Sequence, residues 1–288
     1  MVKTETAIVY LDYSQIELRF QALYTYLIGK PDYNMCRAYM PYDCYMLSDM
    51  DNSKIEFNPE DKNHIKNYDK LIGYQKEDDK VWKPLDIHGA TTKAAFPDVK
   101  ETDPEFHDLR YIGKRVNFAK NYGAQLNRIK EMFPDMPEEQ QVSLDRAYYK
   151  AFPGVKHYHE FCNERAALHS YTSNLFGVKY YNVSGHKLKN MLIQGSCAFF
   201  LKKKIIEINN YLKEKGYKTK MQLQLHAELS FEWYPKDGIE IFFEIKNIME
   251  NWSETKVPII ADMEVTTTNW AEKEEIKTEE ELNDKINR

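Results

Sequence analysis

The chain has 288 residues, with 40 Lys and Arg against 45 Asp and Glu, so its formal net charge is −5. That balance excludes a wholly basic nucleic-acid-coating protein but not a local basic surface, because net charge says nothing about where the charges lie. With 42% apolar and 30% charged residues, the chain is globular rather than disordered and long enough for one or two domains with full cores.

Four cysteines (Cys36, Cys44, Cys162 and Cys197) form no C-x-x-C pair and read as free thiols of a reducing compartment. Residues 1–5 lack an apolar signal region, and no apolar run approaches the ~20 residues of a membrane span. The expectation is a soluble, cytoplasmic protein with no membrane partner.

In chain order, Ala7 to Leu11 is a short apolar run that reads as a strand ending at Asp12. Ser14 and Glu17 have capping-box spacing, and Ile16, Phe20, Leu23 and Leu27 recur at helical spacing until Gly29 and Pro31. Asp12 is therefore either a side chain facing a cleft or a plain cap. Residues 31–84 show no strong periodicity. Between 43 and 80 they hold ten acids and six bases, and they read as an irregular, partly exposed insert.

Residues 110–130 contain six Lys and Arg and no acid. Arg110, Lys114, Phe118 and Tyr122 step by four, which on a helix keeps them within a stripe about 120° wide and about 18 Å long. Two cations followed by two rings suit a ligand with phosphates at one end and a base at the other; a solvated basic helix with two core aromatics fits the spacing too. A second acid-free stretch, 179–204, carries six Lys. Within it Leu188 to Leu201 reads as a helix with Asn190 and Gln194 on one face, either surface amides or readers of a minor groove. Alternation over 221–225 and 229–233 predicts a hairpin turning at His226-Ala227. A helix over Asp237–Trp252 and a strand over Val257–Val265 follow. The tail, 272–288, holds seven acids and four bases and reads as an exposed or disordered helix.

Three of these segments together resemble the motifs of family A DNA polymerases. Asp12-Tyr13-Ser14-Gln15-Ile16-Glu17-Leu18-Arg19 matches motif A. Arg110-x-x-x-Lys114-x-x-Asn117-Phe118-x-x-x-Tyr122-Gly123 matches motif B, and Gln224-Leu225-His226-Ala227-Glu228 matches motif C except at one position. Asp86-Ile87-His88 and Phe152-Pro153-Gly154-Val155 resemble the flanking family patterns.

The resemblance implies an α+β fold: a palm with an antiparallel sheet and flanking helices, plus mainly helical fingers, the thumb being absent from this chain. It implies palm at 1–30 with motif A, fingers at 31–180 with the insert at 31–84 and motif B at 110–123, palm again at 181–271 with motif C at 224–228, and an acidic tail at 272–288. It implies template-directed nucleotidyl transfer with two Mg²⁺ ions, one activating the primer 3′-hydroxyl and one holding the triphosphate. Asp12 and the Tyr13 carbonyl would be metal ligands. Glu17 would gate against the ribose 2′-hydroxyl. His88, Arg110 and Lys114 would contact the triphosphate, with Lys114 also the proton donor to pyrophosphate. Phe118 and Tyr122 would stack on and shape the nascent pair, and Gln15 belongs to the same nucleotide set. Asn190, Gln194, His226 and His186 would lie near the primer–template.

Ala227 departs from the family, which has its second catalytic Asp there. A methyl group cannot ligate a metal, and two divalent ions about 4 Å apart repel by ~16 kcal/mol at an effective dielectric of about 20. Glu228 is expected to face the opposite side of the strand, so the chain reads as inactive, through an introduced Asp-to-Ala replacement or natural divergence. The alternative is a non-catalytic DNA-binding subunit derived from a polymerase. The expected partners are primer–template DNA, deoxynucleoside triphosphates and a separate chain supplying the thumb. The long insert suggests a phage-type enzyme working in a bacterial host cytoplasm.

Overall fold

A computed structural model describes residues 7–30, 32–39, 44–47, 54–56, 71–74, 86–252, 255 and 257–286. Two compact units emerge: residues 1–17 with 194–288, and residues 18–193. The expectations for most of 31–84 and for the end of the tail lie outside the described residues.

In chain order the described strands are Ile8–Tyr13 (β1), Cys44–Leu47 (β2), Lys54–Glu56 (β3), Leu71–Tyr74 (β4) and Tyr171–Ser173 (β5). Lys179–Tyr181 (β6), Lys220–Leu225 (β7), Glu228–Glu232 (β8), Ala261–Thr266 (β9) and Glu274–Ile276 (β10) follow. The first unit is built on an antiparallel sheet of five of them, in the order β10-β9-β1-β8-β7. β1 is central, and its Val9, Tyr10 and Leu11 are buried in succession, on both faces of the sheet, which is why it reads as a continuous apolar run. Asp12 is its one exposed position.

The hairpin turns at His226-Ala227 as expected, but Leu223 and Leu225 of β7 are exposed because β7 is the sheet edge. The helix Glu240–Glu250 is shorter than expected and buries Ile241, Phe242, Ile245 and Met249. The tail is not free. β10 pairs with β9, and the helix Glu279–Ile286 buries Leu282. Charge density hid these contacts, because among the described residues of the stretch only Ile276 and Leu282 are buried.

The second unit is helical. Its described helices include Ile87–Ala95, Phe106–Asn121, Leu126–Met132, Glu138–Ala151 and Pro153–Leu168. Ala95, Val116, Ile129, Phe133, Leu144 and Ala147 form one apolar cluster among them. The Phe106–Asn121 helix approaches Ile87–Ala95 closely at Gly113, where a Cβ would stand 2.9 Å from the His88 carbonyl oxygen. Glycine is required there, and the close approach sets His88 beside the basic helix. Asp32 is buried. It accepts from the backbone N–H of Met35 at 2.9 Å and of Gly154 at 2.7 Å, so one carboxylate caps two helices.

Within the insert, β2, β3 and β4 form a separate sheet where only irregular chain was expected. Their shortness explains the missing periodicity. Two helices cross the division between the units: Ile16–Leu27, and Gly185–Lys215, which at 31 residues far exceeds the expected 188–201. Cys162 and Cys197 are buried free thiols. Among the described residues, no helix is long and apolar enough to cross a membrane.

Candidate active site

Each unit gathers part of the chemistry. In the sheet unit, Asp12 pairs with Glu228 on one side and Asp262 on the other. Directly opposed residues of antiparallel neighbours share a face, so these three carboxylates point the same way. Asp12, Asp262, Glu264 and Glu275 line a pocket of about 310 Å³.

The ammonium of Lys273 bridges Glu228 and Glu264, at 2.6 Å from each, and lies over the rings of Tyr10 and Trp270. Loss of solvent raises the Asp12 pKa, Glu228, Asp262 and Glu264 raise it further, and Lys273 opposes them. The pocket offers hard oxygen donors and a surplus of negative charge, which suits a divalent cation such as Mg²⁺. Among the described residues, no three Asp, Glu, His or Cys side chains converge to hold an ion unaided.

The expectation that Glu228 faces away from the site is corrected. Strand alternation does not apply, because Ala227 is in the turn, where His226 adopts φ +55°, and Glu228 is the first residue of β8. Glu228 stands opposite Asp12, but Lys273 holds its carboxylate. Tyr13 has a buried side chain whose hydroxyl donates to the Met249 carbonyl at 2.9 Å, leaving only its backbone for a metal. Gln15 sits at φ +51° in the turn that swings the chain from β1 into the next helix. Glu17 accepts from Gln194 Nε2 at 3.1 Å, so a residue expected at the primer holds the expected ribose gate. Burial raises the Glu17 pKa and the Gln194 bond lowers it.

In the helical unit, Arg110 and Lys114 lie on the Phe106–Asn121 helix with Phe118. Tyr122 is the cap residue just beyond it, so the stripe ends one position earlier than expected. Asp86 caps the Ile87–Ala95 helix by accepting from His88 N–H, and its carboxylate also takes two bonds from the Arg110 guanidinium. The Asp86 pKa is lowered: burial alone would raise it, and the Arg110 bonds and charge outweigh that. His88 is buried, its ring 6.0 Å from that of Phe118. Its pKa falls to about 4, through burial first, with Arg110 and Lys114 adding to the fall and Asp86 opposing it. Phe118, Tyr122, Arg115, Arg128 and His186 line an open pocket of about 840 Å³. Asn190 lies one helical turn before Gln194, and its side-chain oxygen is enclosed without a hydrogen-bond partner among the described residues.

Asp262, Glu264, Lys273 and Glu275 were missed by sequence reasoning. The alternating Asp262-x-Glu264 in a strand was the available signal. Lys273 and Glu275 had none, because they sit in a stretch read as tail.

The sequence pattern of DNA polymerase family A matches residues 1–272, and the chain belongs to this family. It is 30% identical over 189 residues to DNA polymerase I of Streptococcus pneumoniae serotype 4, covering 62% of this chain and 21% of that protein. It is 29% identical over 250 residues to DNA polymerase I of Caldicellulosiruptor bescii, covering 82% and 28%. Against the thermostable DNA polymerase I of Thermus aquaticus it is 27% identical over 237 residues, covering 77% and 27%. Each match thus spans less than a third of the relative's length, from 21% to 28%. The fold is similar to the POL domain of Pol1 from M. smegmatis, solved in complex with DNA primer-template and dNTP. The TM-score is 0.66 at 20% identity, over 92% of this chain and 40% of that one.

Proposed function

We propose that the chain carries the nucleotidyl-transfer site of a template-directed DNA polymerase, which adds deoxynucleotides to a primer 3′ end, and that Ala227 leaves it disabled. The observation that carries this reading is the strand register setting Asp12 against Glu228, directly after the turn that holds Ala227. An aspartate at position 227 would sit in that turn, next in sequence to the strand partner of Asp12.

In this reading Asp12 and the Tyr13 carbonyl hold magnesium, and an aspartate at position 227 would complete the donor set. When bound, the metal supplies charge neutralisation and Lewis-acid activation at the reacting phosphate. The chain's own residues do the rest. Arg110 and Lys114 bind the triphosphate, and Lys114 gives a proton to the leaving pyrophosphate. His88 contacts the same phosphates. Phe118 stacks on the base, Tyr122 shapes the pair, and Gln15 completes the nucleotide set. Glu17, held by Gln194, occupies the space a 2′-hydroxyl would need. Asn190, His186 and His226 approach the primer–template. The long stretch between Asp12 and His88 supports a phage source.

The test is primer extension on a recessed-end template with Mg²⁺ and deoxynucleotides, comparing the chain with its Ala227→Asp variant at equal concentration. Extension by the variant alone, at a rate on the order of 10³ above the given chain, is expected. Equal metal-dependent extension by both would sink the assignment of position 227. Extension by neither, with primer–template still bound, would favour the non-catalytic DNA-binding subunit.

A further inference from the structure

The hydrogen bonds behind the nucleotide-facing residues carry a consequence for His88. Asn117 is fully buried in the Phe106–Asn121 helix, and Thr91 is fully buried in the Ile87–Ala95 helix. The Asn117 amide nitrogen donates to the Ile87 carbonyl at 3.0 Å and lies 3.1 Å from His88 Nδ1. The Asn117 oxygen accepts from the Thr91 hydroxyl at 2.6 Å.

The Ile87 carbonyl can only accept, so it fixes which end of the Asn117 amide is nitrogen. The Thr91 hydroxyl on the other end agrees with that choice. The second amide hydrogen therefore points at His88 Nδ1, which must accept it. A ring nitrogen that accepts carries no proton, so the proton of the neutral ring is on Nε2. Protonating Nδ1 as well would set two donors against each other in a closed site, and the bond between them would be lost.

We infer that Asn117 is a positioning residue that locks His88 as a neutral imidazole with its proton on Nε2, so that it offers the nucleotide phosphates a directed hydrogen bond and not a positive charge. The final clause rests on the proposed function; the tautomer does not. The charged groups around the ring agree. Arg110 and Lys114 oppose a third cation, and Asp86, the acid beside them, is engaged by Arg110 and by the His88 N–H. The division of labour is chemically sensible: Arg110 and Lys114 supply charge, and His88 supplies direction.

The test uses the whole chain labelled with ¹⁵N-histidine, read by long-range proton–nitrogen correlation. There are eight histidines, so His88→Gln identifies the resonances. The expected His88 pattern is acceptor-type nitrogen at Nδ1 and protonated nitrogen at Nε2, unchanged from about pH 5 to 8. Asn117→Asp replaces the donor by an acceptor and is expected to place a proton on Nδ1. Thr91→Val leaves the Ile87 carbonyl to orient the amide and is expected to keep the pattern. A wild-type His88 protonated at Nδ1, or an Asn117→Asp spectrum with Nδ1 still unprotonated, overturns the inference. The wild-type spectrum decides the matter even if a variant fails to fold.

Equilibrium titration with a deoxynucleoside triphosphate separates the two claims. Asn117→Leu, which removes the donor without adding charge, is expected to weaken binding about tenfold. If the wild type shows the expected tautomer but binds no nucleotide, the proposed function fails and the tautomer assignment stands.

Discussion

The two units hold their reactive groups in opposite electrostatic states. In the sheet unit, Asp12 stands among Glu228, Asp262 and Glu264, and partial loss of solvent and like charges push its pKa up. In the helical unit, Asp86 is paired with Arg110 and its pKa is pulled down. His88 is held neutral by the bonds around it. The helical residues have their partners without any ligand: Arg110 on Asp86, Asn117 on Ile87 and His88, Thr91 on Asn117. Among the described residues, the carboxylate pole has one internal cation, Lys273, shared between two of its acids. One region has its charges paired and the other is left short of positive charge, which is what the metal binding proposed for the sheet unit requires.

The largest effect should come from Asp12→Asn in the Ala227→Asp background, where loss of the carboxylate is expected to lower primer extension on the order of 10³-fold. The same substitution should stabilise the fold at pH 7. A carboxyl whose folded pKa is raised contributes stability that is full below its ordinary value of 3.8 and lost as pH rises through the folded value. Asp12→Asn removes that loss, so urea unfolding should show a gain of ~0.5 kcal/mol at pH 7 after allowance for solvent screening. The gain should vanish as pH falls toward 3.8. Activity and stability would thus move in opposite directions at one residue.

Next in size is Lys120→Met. Lys120 is buried at the end of the motif B helix. It pairs with Asp145, donates to the Ala124 carbonyl at 3.1 Å and lies over the Tyr149 ring. Removing one partner of a buried pair leaves the other uncompensated, typically at ~3 kcal/mol. A urea-midpoint loss below about 1 kcal/mol would show that this pair does not anchor the helical unit.

The residues of the proposed site were legible in the sequence more readily than their supports. Asp12, Arg110, Lys114 and the His226-Ala227 turn are local features: a strand end, a helix face, a break between two alternating runs. The supports are not local. Asn117 is one polar residue on a helix, and only folding brings it to His88, 29 positions earlier. Lys273 sits in a charge-rich tail that no periodicity assigns to a sheet, and its role depends on β10 pairing with β9. The position of Glu228 was misjudged because alternation was carried through a turn. The insert strands were missed because segments of three or four residues show no period.

Lys273→Met should have a moderate effect, confined to the sheet unit. Glu228 and Glu264 would lose their shared cation, and stability at pH 7 should fall by ~1–2 kcal/mol. Mg²⁺ should restore part of that loss, and should stabilise the variant more than the parent, because the freed carboxylates become available to the ion. If Mg²⁺ stabilised both equally, Lys273 would not be competing for the same carboxylates.

The smallest expected effect is also the cleanest contrast. Asp86→Asn keeps a side-chain oxygen to cap His88 N–H but discards the ion pair with Arg110. Both partners are about two-fifths exposed, so solvent screening leaves a loss of only ~0.5 kcal/mol at pH 7. A carboxyl whose folded pKa is lowered contributes stability above its ordinary value of 3.8 and loses it as pH falls through the folded value. The difference between Asp86→Asn and the parent should therefore close in acid, as it does for Asp12→Asn, but from the other side: one substitution destabilises at pH 7 and the other stabilises. Urea unfolding of the pair at pH 7 measures both signs at once, and lowering the pH below 3.8 should begin to close the Asp86→Asn difference. If the two substitutions shift stability in the same direction at pH 7, the contrast between a pre-set cradle and an uncompensated carboxylate pole does not hold.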